Sequence, residues 1–411
     1  MLSQITKTDS SQHWLLPDGV ADVLFVDAQK QEALRDALLF ILTAHGYRLV
    51  SPPLIEYTDS LLGYADEDLK LQTFKFIDQK TGRLMGLRAD VTPQILRIDG
   101  QHGKGVNRYC YVEQVVKTLP QGLFGLRTPL QLGAEIFGVQ GIEAELSLLD
   151  VLTALLDEIG LPVQDLHLDI GHVAIFDRLC QLHQIDSQTA GELMAIYHKK
   201  AMPELSVLCQ TLKPMAKEDF LLLAGLDWCG DGVPTCDDFL GQLSEQSRQD
   251  LQIMTAIDEV IRLAAHARSL GLQVGIDITE LSGYHYHTGI VFNGYLGVGQ
   301  SSQALVRGGR FVGVSKQQQA RNATGFSMDL NRLLAFVELQ EDTVIWVDYE
   351  QLQTATTEQK ADLAKQIKTL QDEGCVVIKP ISPDDRPDEI DGVLEIDDNQ
   401  TWAVRLVGDD C

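Results

Sequence analysis

Gln131 and Glu135 stand four residues apart in LQLGAEIFG, and an even spacing within strand-like alternation points both polar side chains to one face of a strand. That face must be wet or occupied. Asp90 and Thr92 alternate with Arg88 at the exit of another strand, in LRADVTPQILR. A buried carboxylate with no cation is strongly unfavourable, so keeping both Asp90 and Glu135 suits a cationic ligand. The same residues also fit a structural network in which the two carboxylates pair with Arg88, Arg127 or Arg307. His285 and His287 share a strand face in YHYHTG. No Cys, Asp or third His stands at ligand spacing beside them, so no metal is expected.

These side chains need a sheet to hold them. Tyr109, Tyr111, Val115 and Val116 alternate before a loop at Lys117–Gly125, and the pattern resumes toward Leu132 and Ile136. That predicts a hairpin carrying a ligand loop. Upstream, Asp27 is a capping residue, Leu34, Leu38, Ile41 and Leu42 recur at helical spacing, and Gly46 can end the helix expected over 28–45. GYRLVSPPLIE is a strand broken by Pro52 and Pro53, which belongs at an edge, and such edges often lie at dimer interfaces. Residues 74–77 and 84–87 flank DQKTG as a second hairpin, and a short helix with Ile95 and Ile98 follows.

A helix over about 143–159 leads through Gly160 and Pro162 into the strand LHLDI. Residues 173–270 have helical spacing with breaks at Pro203, Pro214 and Pro234, which predicts a helical insertion between two parts of a sheet. Strands return at VGIDI, IVFNGYLGV and ALVRGGRF, and GFSMDLNRLLAFV runs from strand into helix. A core domain over 1–338 is therefore expected, followed by a small α/β domain over 339–411 in which strand, helix and strand alternate. The latter is acidic: residues 341–411 hold 18 Asp and Glu against 6 Lys and Arg, a net of −12.

Composition narrows the function. The chain has 411 residues, 45% of them apolar, and no run long enough to span a membrane. Its first residues, MLSQITKTDSSQHW, lack the basic-then-apolar pattern of a leader, so a cytoplasmic protein is expected. The 7 cysteines are scattered without a CxxC pair, which predicts neither a disulfide framework nor a zinc site. A formal charge of −26 repels polyanions, and no basic patch offsets it, so nucleic-acid binding is not expected.

In order and spacing, GYRLVSPPLIE, LRADVT, QLGAEIFG, RGGRFVG at Arg307–Gly313 and GFSMDLNRLL resemble the catalytic core of histidyl-tRNA synthetase, over roughly residues 15–338. The resemblance implies an α+β fold of the class II synthetase type: a mixed, largely antiparallel sheet flanked by helices, dimeric through its first motif. It also implies that Asp90, Thr92, Gln131 and Glu135 match histidine-binding positions, with Asp90 in place of a glutamate, and that Arg127, Tyr286 and His287 line the same candidate site.

The departures from the synthetase pattern bear on activity. Adenylate chemistry needs fixed cations that neutralise charge in the transition state. Where the synthetases read Phe-Arg-x-Glu, this chain has Val116, Lys117, Thr118 and Leu119; a lysine lacks the planar donor fork, and the carboxylate is lost. The arginine that opens the histidine-specific segment aligns with Ser282, ahead of Gly283, Tyr284, His285, Tyr286 and His287. The third motif keeps Arg332 but has Asp329 for a glycine. No adenylating activity and no catalytic residue are therefore expected, and no cofactor is implied. YHYHTG resembles a paralogous family, the regulatory subunits of short-form ATP phosphoribosyltransferase, which also lack an anticodon-binding domain. That resemblance implies a homodimer within a hetero-oligomer, a catalytic-subunit partner, and histidine as effector in the first step of histidine biosynthesis. Two alternatives stay open: a divergent histidyl-tRNA synthetase or other histidine-activating ligase using Lys117, Arg127 and Arg332, and a histidine sensor with another partner.

Overall fold

The computed structural model describes residues 15–63, 67–120, 125–225, 227–228, 232, 234–279, 286–296, 304–314, 319–339 and 342–407. The chain divides into two compact units, Met1–Val337 and Glu338–Cys411. In chain order the strands of the first unit are β1 (Arg48–Leu49), β2 (Ile55–Tyr57), β3 (Lys75–Ile77), β4 (Leu84–Leu87), β5 (Asn107–Gln114), β6 (Leu130–Phe137), β7 (Leu166–His172), β8 (Asp227–Trp228), β9 (Gln273–Asp277), β10 (His287–Leu296), β11 (Val306–Val314) and β12 (Ala320–Asp329). Nine of them form one sheet in the order β1-β5-β6-β12-β11-β10-β7-β9-β8, and β2-β4-β3 form a smaller one. In the large sheet only β1–β5 and β7–β9 pair in parallel, so the sheet is mixed and largely antiparallel.

The first helix, Phe25–Ala44, buries Leu34, Leu38 and Leu42 against the main core. It begins earlier than the expected 28, and Asp27 is not its cap: Leu24 precedes the helix with no side-chain cap, and Asp27 lies in the first turn, where a negative charge favours the helix dipole. The two prolines of GYRLVSPPLIE separate β1 from β2, which join different sheets. In the insertion, Pro203 and Pro214 do not interrupt helices. They open Met202–Cys209 and Pro214–Leu223, at positions whose N–H has no helical partner anyway.

Two polar clusters tie the insertion together. Asp219, fully buried, accepts from His183 Nε2 at 2.7 Å, Ser244 N at 2.7 Å, Ser244 Oγ at 2.8 Å and Ser247 Oγ at 2.5 Å. On β11, Arg310 donates to Glu145 of the helix Glu143–Glu158 at 2.6 Å and to Glu259 of the helix Leu251–Ser269 at 2.9 Å. His172 Nε2 meets the same Glu259 at 3.2 Å. Arg310 thereby fastens both helices to one face of the sheet.

The second unit has its own sheet, ordered β14-β13-β15-β16, from β13 (Val344–Val347), β14 (Val376–Ile378), β15 (Gly392–Ile396) and β16 (Trp402–Leu406). The helix Thr357–Asp372 starts in a capping box between Thr356 and Gln359 and covers a core of Ile345, Val347, Leu363, Leu394 and Trp402. Among the described residues no helix is long and apolar enough to cross a membrane, and the described cysteines Cys110, Cys180, Cys209, Cys236 and Cys375 are free.

Candidate functional site

The middle of the large sheet builds the site. β6 pairs with β5 on one side and β12 on the other, and its alternation puts Gln131, Gly133 and Glu135 on one face. The register continues sideways: Glu135 lies opposite Gly325 on β12, and Gly325 lies opposite Gly309 on β11. A Cβ on Gly325 would stand 2.7 Å from Glu135 Cγ, and one on Gly309 would stand 2.8 Å from His287 Nδ1. Glycine in a strand interior leaves room for a close approach. Here Gly325 makes room for the Glu135 side chain and Gly309 for the His287 ring, and the strip of sheet between them, called the trough below, is the candidate site. Two strand spacings, roughly 10 Å, separate β6 from β11.

Tyr111 closes the β5 side. It lies opposite Gly133, where a Cβ would overlap its phenol, and its hydroxyl is 3.5 Å from Thr92 Oγ1. β4 ends at Leu87 and the helix Thr92–His102 begins at once after Val91, so Asp90 sits on a bend rather than on a strand. Asp90 Oδ1 accepts from Thr92 N at 3.0 Å and from Gln131 Nε2 at 3.2 Å, while Gln131 Oε1 accepts from Val91 N at 3.3 Å. The Gln131 amide thus pins the bend to β6, and Asp90, Thr92, Gln131 and Glu135 come together.

Glu135 is 1% exposed, and neither carboxylate oxygen has a hydrogen bond of normal geometry among the described residues. Burial pushes its carboxyl well above the ordinary carboxylate range; the hydroxyls of Thr92 and Tyr111 come close enough to oppose that shift, and the Asp90 charge reinforces it. Tyr111 is likewise pushed well up, first by burial and then by Glu135 and Asp90. A ligand donating a cation or an N–H to Glu135 would oppose that shift and favour the ionised form.

The remaining expected residues divide. Tyr286 stacks on Phe311 with ring centroids 4.9 Å apart and meets the His287 ring edge-on at 5.3 Å, which puts both at the far wall of the trough. Ser282, Gly283, Tyr284 and His285 lie outside the described residues. Arg127 does not join the group. Its Nε donates to Lys117 O at 3.1 Å, one Nη to Asp18 O at 3.4 Å, and its guanidinium lies 5.1 Å from the centre of the Phe74 ring. Of the arginines named for a purely structural network, Arg88 pairs with Glu113 at 2.6 Å, and Arg127 is bound to the backbone of Lys117 and Asp18 instead. Among the described residues no group of three or more His, Cys, Asp and Glu could hold a metal.

Next to the pocket is a mixed-charge cluster. Burial lowers the Lys117 pKa, Asp90 opposes that shift and Arg307 reinforces it. Asp329 is pushed up by burial, opposed by its bond from Asn331 N and by the charges of Arg332 and Lys117. Arg332 Nη1 donates to Ala304 O at 2.7 Å. The Asp329 carboxylate therefore sits within the field of cations that an anionic triphosphate would need.

Residues 19–333 match the histidyl-tRNA synthetase family model. A chain from Psychrobacter arcticus named ATP phosphoribosyltransferase regulatory subunit is 50% identical over 96% of this chain and 100% of its own length. This chain belongs to the ATP phosphoribosyltransferase regulatory subunit family. Membership makes it a regulatory subunit on a synthetase fold. An Acinetobacter baumannii regulatory subunit of the same name is 38% identical over 91% of this chain and 93% of its own. Among solved structures, an ATP phosphoribosyltransferase regulatory subunit/histidyl-tRNA synthetase from Bacillus halodurans superposes with a TM-score of 0.73 at 22% identity, covering 90% of this chain and 95% of its own. A histidyl-tRNA synthetase from Nostoc gives 0.69 at 16% identity, covering 93% and 91%. These two likenesses establish the fold.

Sequence reasoning gave three residues no place in the site. Tyr111 reads as strand alternation, and Gly309 and Gly325 read as parts of strands with no site role. The available signal was the glycine in each strand interior, which marks something lying across the backbone.

Proposed function

We propose that this chain is the non-catalytic regulatory subunit of a short-form ATP phosphoribosyltransferase, acting in the cytoplasm as a homodimer within a hetero-oligomer. The phosphoribosyl transfer belongs to the partner subunit. This chain raises the partner's activity and carries feedback inhibition by histidine, the effector it binds in the trough. Asp90 and Gln131 at the half-buried mouth hold the α-ammonium group, and Glu135, which lies deepest, takes the imidazole N–H. The observation that carries this reading is Glu135: a fully buried carboxylate with only the Thr92 and Tyr111 hydroxyls near it and no cation paired to it among the described residues. Such a group persists where a ligand completes it.

Differential binding supplies the regulation, since an effector shifts a complex between two states only by as much as it prefers one of them. The test is reconstitution: purified chain is mixed with a short-form catalytic subunit, and turnover is followed with and without histidine. Stimulation that histidine reverses is expected. Histidine-dependent exchange of pyrophosphate into ATP by the chain alone would instead make it a ligase.

A further inference from the structure

The segment that carries Asp90 and Thr92 is held from two sides by groups that do not themselves line the trough. On one side stands Arg88, 3% exposed. Its Nε donates to Gln114 O at 2.8 Å and its Nη2 to Glu113 at 2.6 Å, while Nη1 reaches back to Pro52 O at 2.6 Å and lies 3.5 Å from Gln94 Oε1. Glu113 is the direct cross-strand neighbour of Gln131, the residue that pins Asp90 and Val91. Adjacent residues of one ladder thus grip both ends of the bend 88–91. On the other side stands Gln94, fully buried in the first turn after Thr92. Its Nε2 donates to Pro53 O at 2.7 Å and to Glu56 Oε1 at 3.0 Å, and Glu56 is bound again by Arg97 through Nε at 3.1 Å.

Three of these bonds, Arg88 Nη1 to Pro52 O and Gln94 Nε2 to Pro53 O and to Glu56, end on one short stretch, Pro52–Glu56, while the other Arg88 bonds run to Glu113 and Gln114 on β5. That stretch carries the exposed apolar residues Leu54, 40% exposed, and Ile55, 44% exposed, at the edge where the proposed homodimer meets. A buried guanidinium fork with four acceptors is rigid, because its planar donors cannot be re-aimed singly. Asp90, Arg88, Gln94 and the backbone of the edge are thus joined by one chain of hydrogen bonds.

We infer that Arg88 and Gln94 are positioning residues that couple occupancy of the Asp90–Glu135 pocket to the Pro52–Glu56 edge. Arg88 fixes where Asp90 stands, and Gln94 passes its displacement to the edge. This rests on the reading of the trough as the histidine site. Coupling of this kind is a free energy between two sites, commonly about 5- to 150-fold in affinity.

The experiment uses the full chain, alone and in its complex with the catalytic subunit. Gln94→Met removes both bonds to the edge at similar volume, and Glu56 keeps Arg97. Calorimetry on the free chain should show histidine affinity within about threefold of wild type, while the histidine concentration that half-inhibits the complex rises about tenfold or more. Arg88→Lys keeps the charge and loses the fork, and should weaken histidine binding itself by roughly tenfold, the equivalent of one charged hydrogen bond. Melting curves establish that each variant is folded, and Gln94→Met decides the matter if Arg88→Lys is not. Wild-type chain that binds no histidine overturns the pocket reading. Wild-type chain that binds, with a Gln94→Met complex inhibited as wild type, overturns the coupling alone.

Discussion

Asp219 and Glu135 are both carboxylates sealed from solvent, at 0% and 1% exposure, and they are treated oppositely. Asp219 collects His183, Ser247 and both the backbone N–H and the hydroxyl of Ser244, so its lone pairs are met by donors from the helical insertion. Glu135 collects no bond of normal geometry and lies against Gly325 at one side of the trough. The first arrangement resembles a catalytic triad in composition, yet it is closed and serves packing. The second resembles a defect, and it is where the proposed ligand would bind. Burial alone does not mark a functional carboxylate; a buried acceptor left without full partners calls for a further explanation.

The contrast breaks most readily at Asp219. Asp219→Ala leaves four donors without their acceptor and should destabilise the chain by about 3 to 5 kcal/mol in urea unfolding, with histidine affinity unchanged in whatever fraction stays folded. At the mouth of the trough the effect reverses in kind. Asp90→Asn should leave unfolding nearly unchanged and weaken histidine binding by about 1.5 to 3 kcal/mol, the range for a hydrogen bond to a charged group.

Acidity sharpens the comparison further. Burial raises the folded-state pKa of Glu135 above its unfolded value. Folding then takes up a proton, so this group's contribution is most favourable below the ordinary glutamate pKa and is lost as pH rises toward the raised value. Glu135→Gln should accordingly be more stable than wild type at neutral pH, with the difference vanishing in acid, as measured by melting temperature across pH. The smallest effect is expected beside the pocket, where Lys117→Ala should leave the stimulated phosphoribosyltransferase rate largely intact. A large loss there would make Lys117 an interface residue.

Part of how these side chains are placed was legible from spacing, whereas their proposed role came from the family resemblance. Period-two alternation put Gln131 and Glu135 on one face, and the LRADVT stretch placed Asp90 and Thr92 near a strand exit. What escaped was set by tertiary contact. Arg127 shares its segment with pocket residues but turns to Phe74 and the backbone of Asp18, which no local pattern encodes. Tyr111 has the periodicity of a core residue, and only its placement opposite Gly133 turns it toward the trough. Pro203 and Pro214 were read as breaks because proline cannot continue a helix, although it also opens one. The first helix begins without a capping side chain, so its start had no sequence signal beyond the misleading Asp27.

Titration calorimetry of histidine into the purified chain and into Glu135→Gln tests the central claim most directly. The account predicts saturable binding to the wild type, weakened in the variant by about 2 to 5 kcal/mol, as when one member of a desolvated polar pair is removed. Equal affinity in the two would contradict it and move the effector site away from the trough.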